Sequence, residues 1–184
     1  MAAAELKFKK EDTRPLKLFF EDEGRFGRSN IISRCWSPKG YRSTVQKQIV
    51  RQYTYAYASI CPETGENHSL VLSGSSTDIM NYYLNDLSEY YKHYRIILCT
   101  DNAGWHKSSG LEVPENIVFL YLPPYSPQLN PVEHLWDYIR ERKGFNNRIF
   151  NSIDEVIDTL SDALKEIGNE KEIIKSLCNF HWLY

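Results

Sequence analysis

Apolar residues run together or alternate with polar ones in five short stretches of the chain, each bounded by turn-forming residues. The first, LKLFFEDE, is a compact apolar run between Pro15 and Gly24, and the second, RQYTYAYASI, alternates and is rich in β-forming residues. Both features favour strands. The second and third stretches are joined by the short turn PETGEN and should therefore pair antiparallel. We predict strands at residues 16–23, 51–60, 68–74, 95–101 and 116–122.

Four longer stretches instead repeat their apolar residues at the helical period. They cover residues 76–94 and the stretches that begin at Pro131, Ser152 and Asn169, and a short helix is expected between the last two strands. Ser152 and Glu155 have the spacing of a capping box. This order of elements predicts an α/β fold with a mixed five-stranded sheet flanked by helices.

The helix at Pro131 follows an unusual proline-rich lead-in, LPPYSPQLNPVEHLW, at residues 122–136. Proline fixes its own φ and pushes the preceding residue out of the helical region, so this lead-in should be stiff. Asn130 is a good N-cap, Pro131 suits the first helical position, and Glu133 then lies in the first turn. The simplest interpretation of Glu133 is a capping box with Asn130.

Composition indicates one folded domain. The chain has 184 residues, of which 42% are hydrophobic, and no apolar run is long enough to cross a bilayer. The first residues lack the apolar core of a signal peptide, and the 4 cysteines are scattered without a CxxC pair. We therefore expect a protein of the reducing cytosol without disulfides or structural zinc. We predict a flexible segment at residues 1–14 and a single domain at residues 15–184.

Charge is divided unevenly along the chain, although the formal net charge is only −2. Residues 1–60 hold 12 Lys and Arg against 6 Asp and Glu, whereas residues 61–184 hold 10 against 18. No acidic residue lies between Gly24 and Pro62, where aromatic residues are interspersed among basic ones. Such a segment suits a phosphate backbone with aromatic contacts, although a charge run can also be a plain solvated face. The candidate DNA-binding residues are Arg25, Arg28, Arg34, Lys39, Arg42 and Lys47.

Three carboxylates mark the boundaries of these elements. Asp22 ends the first apolar run, Asp101 ends the fourth strand, and Glu133 begins the helix after the fifth. Ligands of open α/β sheets collect at strand ends, although acids at strand ends are also common turn residues. Converging carboxylates repel one another unless a cation lies between them, and all-oxygen ligation selects Mg²⁺ or Mn²⁺. Two such ions can promote phosphodiester hydrolysis, which indicates phosphoryl transfer on nucleic acid.

The stretches FFEDEGRF, CTDNAGWH and LPPYSPQLNPVEHLW, in this order and spacing, resemble the catalytic domain of DDE-type transposases of the Tc/mariner superfamily, especially its bacterial insertion-sequence branch. The resemblance spans about residues 16–165 and includes the step from Asp22 to Glu23 and the pair Trp36 and Gly40. It implies a ribonuclease H-like fold. The catalytic and metal-binding triad that it implies is Asp22, Asp101 and Glu133.

By the same resemblance, the chain is a DNA endonuclease and strand transferase that uses two Mg²⁺ or Mn²⁺ ions when DNA is bound. Its expected partners are double-stranded DNA, as element ends and target, and a second copy of itself in an active homodimer. We expect it in the cytoplasm, associated with the nucleoid. Family members carry an N-terminal helix-turn-helix region, for which the roughly fifteen residues before the first strand are too few. An excised domain, or a split transposase with a separate helix-turn-helix chain, is therefore expected.

Two other functions stay open at this stage. A truncated product could keep the fold and act as a non-catalytic inhibitor that binds DNA or pairs with full-length transposase. A glycoside hydrolase would need a carboxylate pair and no metal, but this function would leave the basic residues unexplained.

The resemblance also points to supporting residues. Glu23 and Asn102 adjoin two of the triad carboxylates, and Asn130 precedes the third. His106, five residues after Asp101, is expected to orient the site or to contact DNA, unless it is a plain structural histidine. Buried anchoring is favoured over base stacking for three tryptophans, Trp36, Trp105 and Trp136.

Overall fold

The computed structural model describes residues 7–180, and its centre is one mixed sheet. The five strands are β1 (Leu16–Ser29), β2 (Ile49–Ile60), β3 (Asn67–Leu72), β4 (Arg95–Thr100) and β5 (Ile117–Tyr121). They lie in the order β3-β2-β1-β4-β5. β2 pairs antiparallel with β1 and β3, whereas β4 pairs parallel with β1 and β5. The predicted mixed five-stranded sheet is confirmed, and β1 is its central strand.

Helices cover both faces of this sheet. Within residues 7–180 the α-helices are α1 (Thr77–Tyr90), α2 (Val132–Arg142), α3 (Ile153–Asn169) and α4 (Lys171–Cys178), and short 3₁₀ helices lie at Gly104–Lys107 and Pro127–Leu129. None of the helices in this range has the length and apolar character needed to span a membrane.

Successive side chains of β1 enter two separate cores, because a strand alternates its side chains between faces. Phe19 packs in a core with Tyr83 and Leu84 of α1, whereas Phe20 belongs to a core that includes Trp136 of α2. These side chains are almost fully buried. Burial of each large apolar side chain contributes roughly 1.5–3 kcal/mol, so both helical layers stabilise the position of β1.

β1 runs to Ser29, well past the end that the sequence analysis placed before Gly24. Gly24 is not a break, since it stays paired with β2. A Cβ at this position would lie 2.8 Å from the Trp136 ring. The glycine therefore provides room for a buried indole, and this is a packing requirement that the sequence pattern does not reveal.

The start of α2 differs from the predicted capping box. The Asn130 N–H donates to Pro127 O, so it is not available to the Glu133 carboxylate. Asn130 Oδ1 does accept a hydrogen bond from Val132 N at 3.2 Å. Asn130 thus caps the helix by itself, and the capping role predicted for Glu133 is wrong.

The ends of α3 show one confirmed and one wrong prediction. Ser152 Oγ accepts from Glu155 N at 3.1 Å, as the predicted cap requires. Asn169, predicted to start the last helix, instead ends α3, and α4 begins at Lys171.

The chain before β1 touches the domain where the structure describes it. Residues 1–6 lie outside the described residues, whereas Phe8 is buried in the core that contains Phe20. Arg14 donates to Lys92 O at 2.8 Å. The flexibility predicted for residues 1–14 stays a prediction.

The connecting segment, residues 30–48, joins β1 to β2 along the surface. Trp36 and Tyr41 in this segment are 103% and 77% exposed. The prediction that Trp36 is a buried anchor is wrong, because no described residue covers its ring. Trp136 is buried and Trp105 is partly buried, as predicted.

Candidate active site

The register of the sheet places two of the predicted carboxylates on one face. β4 pairs with β1 up to Cys99, which lies opposite Phe20, and Asp22 and Asp101 each follow two residues later. Since side chains alternate along a strand, both carboxylates share the face of Phe20 and Cys99. Asp101 follows the end of β4 as predicted. Asp22 instead lies inside β1, at the point where the parallel pairing with β4 stops.

Glu133 reaches the same face from the start of α2. Asn130 holds this helix start against the sheet, because its Nδ2 donates to Glu21 O at 2.9 Å. The structure consequently brings Asp22, Asp101 and Glu133 to one open cleft of about 390 Å³, as the sequence predicts. The turn after β4 and the proline-rich loop form the rest of the cleft wall.

Asp22 is a partly buried carboxylate with one oxygen held by a neighbouring ring. Trp136, one turn after Glu133 on α2, donates from Nε1 to Asp22 Oδ2 at 2.7 Å. Burial, followed by the negative charge of Glu133, raises the pKa of Asp22 to about 7, against the opposing effect of the Trp136 hydrogen bond. Burial also raises the pKa of Glu133. Ionisation of these two carboxylates is therefore disfavoured unless a positive charge joins them.

Asp101 has the opposite environment. Its Oδ1 lies 3.0 Å from His106 Nδ1 and accepts from Ala103 N at 2.8 Å. The hydrogen bond with His106, the largest cause, and the one with Ala103 lower the pKa of Asp101 despite its partial burial. Asp101 is therefore ionised at neutral pH.

Several carboxylate oxygens of the cleft have no protein partner. Within residues 7–180, hydrogen bonds engage only Oδ2 of Asp22 and only Oδ1 of Asp101, and none engages the Glu133 carboxylate. The other oxygens are available to a ligand. A donor set made only of carboxylate oxygens fits hard divalent cations such as Mg²⁺ and Mn²⁺.

A buried charged cluster lies on the other face of β1, directly behind the cleft. His106 is 1% exposed, and its Nε2 lies 3.1 Å from Glu23 Oε1 and 3.7 Å from Glu21 Oε2. Burial alone would lower the pKa of His106, but its hydrogen bonds with Asp101 and Glu23 outweigh burial and raise it to about 10. His106 is consequently a buried imidazolium. The predicted DNA contact of His106 is wrong, whereas its position beside Asp101 fits the predicted role in orienting the site.

Glu21, Glu23 and His106 form a group of three whose potential metal-ligand atoms lie within 4.8 Å of one another, and the described chain contains no other such group. A protonated imidazole has no lone pair to offer to a metal, so a proton holds this cluster together. Glu21 was not among the residues predicted from the sequence. Burial raises the pKa of Glu21 well above its usual range, and Thr100 Oγ1 donates to it at 2.9 Å. The alternation of β1 was the signal, since it points Glu21 away from the face of Asp22.

Two of the predicted supporting residues fasten the turn after β4. Glu23 Oε1 accepts from Trp105 Nε1 at 2.7 Å, which ties the turn to β1. Asn102 Nδ2 donates to Leu122 O at 2.6 Å, which ties the same turn to the end of β5. The backbone that carries Asp101 is thereby held from both sides.

The candidate DNA-binding residues fall into two groups. On β1, the Arg25 guanidinium lies 4.7 Å from the centre of the Tyr53 ring, and Arg28 donates to Phe150 O at 3.0 Å. The other four are exposed in the connecting segment: Arg34, Lys39, Arg42 and Lys47. Exposure fits a contact with DNA, which stays a prediction for all six residues.

Comparison with known proteins identifies related chains. Residues 17–157 match the model of the family described as DDE superfamily endonuclease. The uncharacterized protein y4pE/y4sA of Sinorhizobium fredii is 32% identical over 133 residues, which cover 72% of this chain and 98% of that protein. The Tc3 transposase of Caenorhabditis elegans is 29% identical over 111 residues, which cover 56% of this chain but only 34% of the transposase.

Solved structures with the same fold include two of the Mos1 transposase. A pre-cleavage Mos1 transpososome has a TM-score of 0.61 at 17% identity, and the match covers 87% of this chain and 55% of the Mos1 chain. A Mos1 mariner paired end complex with Mn has a TM-score of 0.60 over the same shares. The fold is thus the ribonuclease H-like fold of transposase catalytic cores, as predicted. The chain belongs to the DDE superfamily endonucleases and is similar to the transposases of the Tc/mariner group.

Proposed function

We propose that this chain is the catalytic unit of a transposase, which hydrolyses a DNA phosphodiester at an element end and transfers the freed 3′ end to target DNA. The observation that carries the proposal is the convergence of Asp22, Asp101 and Glu133 on one cleft from three separate elements. Membership of the DDE endonuclease family and similarity to Tc3 and Mos1 transposases support DNA as the substrate.

The free oxygens of the triad support binding of a pair of Mg²⁺ or Mn²⁺ ions. Burial raises the pKa values of Asp22 and Glu133, and the positive charge of Arg140 does not offset this effect at Glu133. A related Mos1 complex contains Mn. Such ions, when bound, would activate a water molecule and stabilise the leaving oxygen of a phosphodiester.

The residues around the triad fix the positions of its carboxylates. Trp136 and His106 each fix one carboxylate oxygen, of Asp22 and Asp101 respectively, and leave the other free for ligation. The prolines before α2 limit movement of the helix start that carries Glu133. In hydrolysis the water oxygen bonds to phosphorus and the bond from phosphorus to the 3′ oxygen breaks, which leaves a 3′-hydroxyl. In strand transfer that hydroxyl oxygen loses its proton and bonds to a target phosphorus, while the bond from this phosphorus to its own 3′ oxygen breaks and releases a target 3′-hydroxyl.

The test is metal-dependent nicking of supercoiled plasmid by the wild type, Glu133→Gln and Glu133→Ala. Both variants should lose most nicking with Mn²⁺. Both should also stay within about 0.5 kcal/mol of wild-type stability, because the Glu133 carboxylate makes no hydrogen bond with the described residues. Asp137→Asn is the matched control, since Asp137 is an exposed carboxylate one turn further along α2 and outside the cleft. It should nick like the wild type.

Calorimetric titration of Mn²⁺ into the wild type and Asp101→Ala completes the test, and the variant should lose a site. Full nicking by Glu133→Gln, or equal Mn²⁺ binding by the wild type and Asp101→Ala, would remove the triad from the mechanism. A wild type that binds DNA and Mn²⁺ yet never nicks would instead support the non-catalytic inhibitor.

We further propose that the active form is a homodimer, because transposition joins two element ends. Recognition of those ends would come from a helix-turn-helix region supplied by a longer or separate chain. The work of such an assembly on DNA would place the protein with the nucleoid.

A further inference from the structure

Tyr125 stands out in the proline-rich loop at the edge of the cleft. It lines the same cleft as Asp22, Asp101 and Glu133. Its side chain is 101% exposed, and it makes no ring contact or side-chain hydrogen bond with any residue between 7 and 180. The ring therefore contributes nothing to the core. A single exposed aromatic residue is common on protein surfaces, so exposure alone does not indicate a function.

The backbone at Tyr125 gives a second, independent observation. Its φ is 56°, in the left-handed region that bulky residues avoid. Tyr125 follows Pro124 in a turn, at a position where a positive φ normally selects glycine or asparagine. Pro123 and Pro124 before it, and Pro127 after it, restrict the loop from relaxing. The backbone at Tyr125 is thus strained, and it holds a large aromatic ring in solvent beside the triad. Such strain is typical of functional sites.

We propose that Tyr125 is a stacking platform for an unpaired nucleobase next to the phosphodiester that the triad cleaves. This inference rests on the proposed function and names the form of DNA that the site takes. A phosphodiester at the three carboxylates brings its neighbouring nucleosides to the wall of the same cleft. A base is uncharged and flat, so it can lie against an exposed ring without meeting the charge of the carboxylates.

The base has to be unpaired because the neighbouring bases of an intact duplex cover its faces. A ring can stack on it only where the base is splayed out of the helix or lies at a frayed end. The site therefore favours DNA that is opened at the cleavage point over a fully paired duplex. Stacking depends on the ring alone, so the Tyr125 hydroxyl is not required.

The experiment compares two short DNA duplexes with the same paired sequence by fluorescence anisotropy of the full chain with Ca²⁺. One duplex is blunt, and the other carries a single unpaired 2-aminopurine nucleotide at one 3′ end. The wild type should bind the second duplex roughly 10-fold more tightly, as expected for one base–aromatic stack, and should quench the 2-aminopurine fluorescence. Tyr125→Ala should bind both duplexes alike, with its affinity for the blunt duplex unchanged, whereas Tyr125→Phe should keep the preference.

Two further variants separate stacking from a structural role. Tyr125→Gly relieves the strained φ and should raise the melting temperature while it removes the preference for the unpaired base. Tyr82→Ala is the matched control, because Tyr82 is a 60% exposed tyrosine on α1 and is not among the residues that line the cleft. It should keep the wild-type preference.

The inference and the proposed function fail in different ways. If the wild type binds both duplexes equally well, or if Tyr125→Ala keeps the preference and the quenching, the stacking platform is wrong while the transposase function stands. If the wild type binds neither duplex, both proposals fall. Tighter binding of the second duplex without quenching would mean that the protein contacts the sugar or phosphate of the extra nucleotide and not its base, and this result also overturns the inference.

Discussion

Asp22 and Asp101 share one face of the sheet but have opposite electrostatic environments. His106 and a backbone N–H hold the pKa of Asp101 below its usual range, whereas burial and the charge of Glu133 hold the pKa of Asp22 at about 7. Asp101 is therefore already ionised and can attract a cation, whereas Asp22 becomes fully ionised at neutral pH only when a cation is bound. Without metal, the buried negative charge that would attract a cation instead lowers the stability of the folded protein.

The first prediction is that Asp22→Asn stabilises the metal-free protein at high pH. The pKa of Asp22 is raised from 3.8 to about 7 on folding, so the folded state binds the extra proton between these values. Stability should consequently fall as the pH rises from about 4 through about 7. Asparagine removes this titration and can still accept from Trp136. In EDTA the variant should melt a few degrees above the wild type at pH 8, on the order of 1 kcal/mol, and close to it below pH 4.

Asp158→Asn is the control for this pH series, because Asp158 is an exposed carboxylate on α3 and lies outside the cleft. It should follow the wild type at every pH. A gain from Asp22→Asn of the same size at low and high pH would contradict the assigned cause, since it would not arise from ionisation.

The strand β1 and the helix α2 are coupled through one indole ring. Trp136 packs against Gly24 of β1 and donates to Asp22, and it lies one turn after Glu133 on the same helix. Asp22 and Glu133 therefore keep their relative position only while the Trp136 ring stays in place.

The second prediction is that Gly24→Ala disturbs stability and metal binding together. The added Cβ would lie 2.8 Å from the Trp136 ring and 2.9 Å from Phe26, and neither buried ring can move freely. We expect a loss of about 1–3 kcal/mol, as for other overpacked cores, and weaker binding of Mn²⁺ by calorimetry. Gly104→Ala is the control, because nothing lies within 4 Å of its Cβ position. Equal melting of the two variants would show that β1 and α2 are not coupled in this way.

The sequence predicts what depends on periodicity and misses what depends on close packing. Alternation and apolar runs locate all five strands, and the motifs place the three carboxylates that line the cleft. Gly24 appears as a strand boundary because the sequence does not show that Trp136 packs against it. Glu133 appears as a cap because the sequence does not show that Asn130 N–H is already bonded to Pro127. Trp36 appears as a core residue because exposure is not encoded in residue type.

The central strand β1 carries both a carboxylate of the candidate active site and the start of the basic surface. Arg25 follows Asp22 by three residues, or roughly 10 Å of extended strand, and β1 then leads directly into the exposed connecting segment. The acidic part of the chain, residues 61–184, follows this segment in sequence, and the described fold leaves Arg34 and Lys39 in solvent. DNA drawn to the positive segment would thus lie at the end of the same strand that carries Asp22.

The last prediction is that the connecting segment supplies affinity for DNA without sequence preference. Contacts with phosphates release counterions, so reversing Arg34, Lys39 and Arg42 to glutamate should weaken binding of a blunt duplex by about 10-fold or more at low salt, whatever its sequence. The slope of log affinity against log salt should become shallower by up to about three, near 0.9 for each lost phosphate contact. The control reverses three exposed lysines elsewhere, Lys10, Lys92 and Lys165, which changes the net charge by the same amount. If both triple variants lose affinity equally, overall charge governs binding, and the segment is only a solvated face.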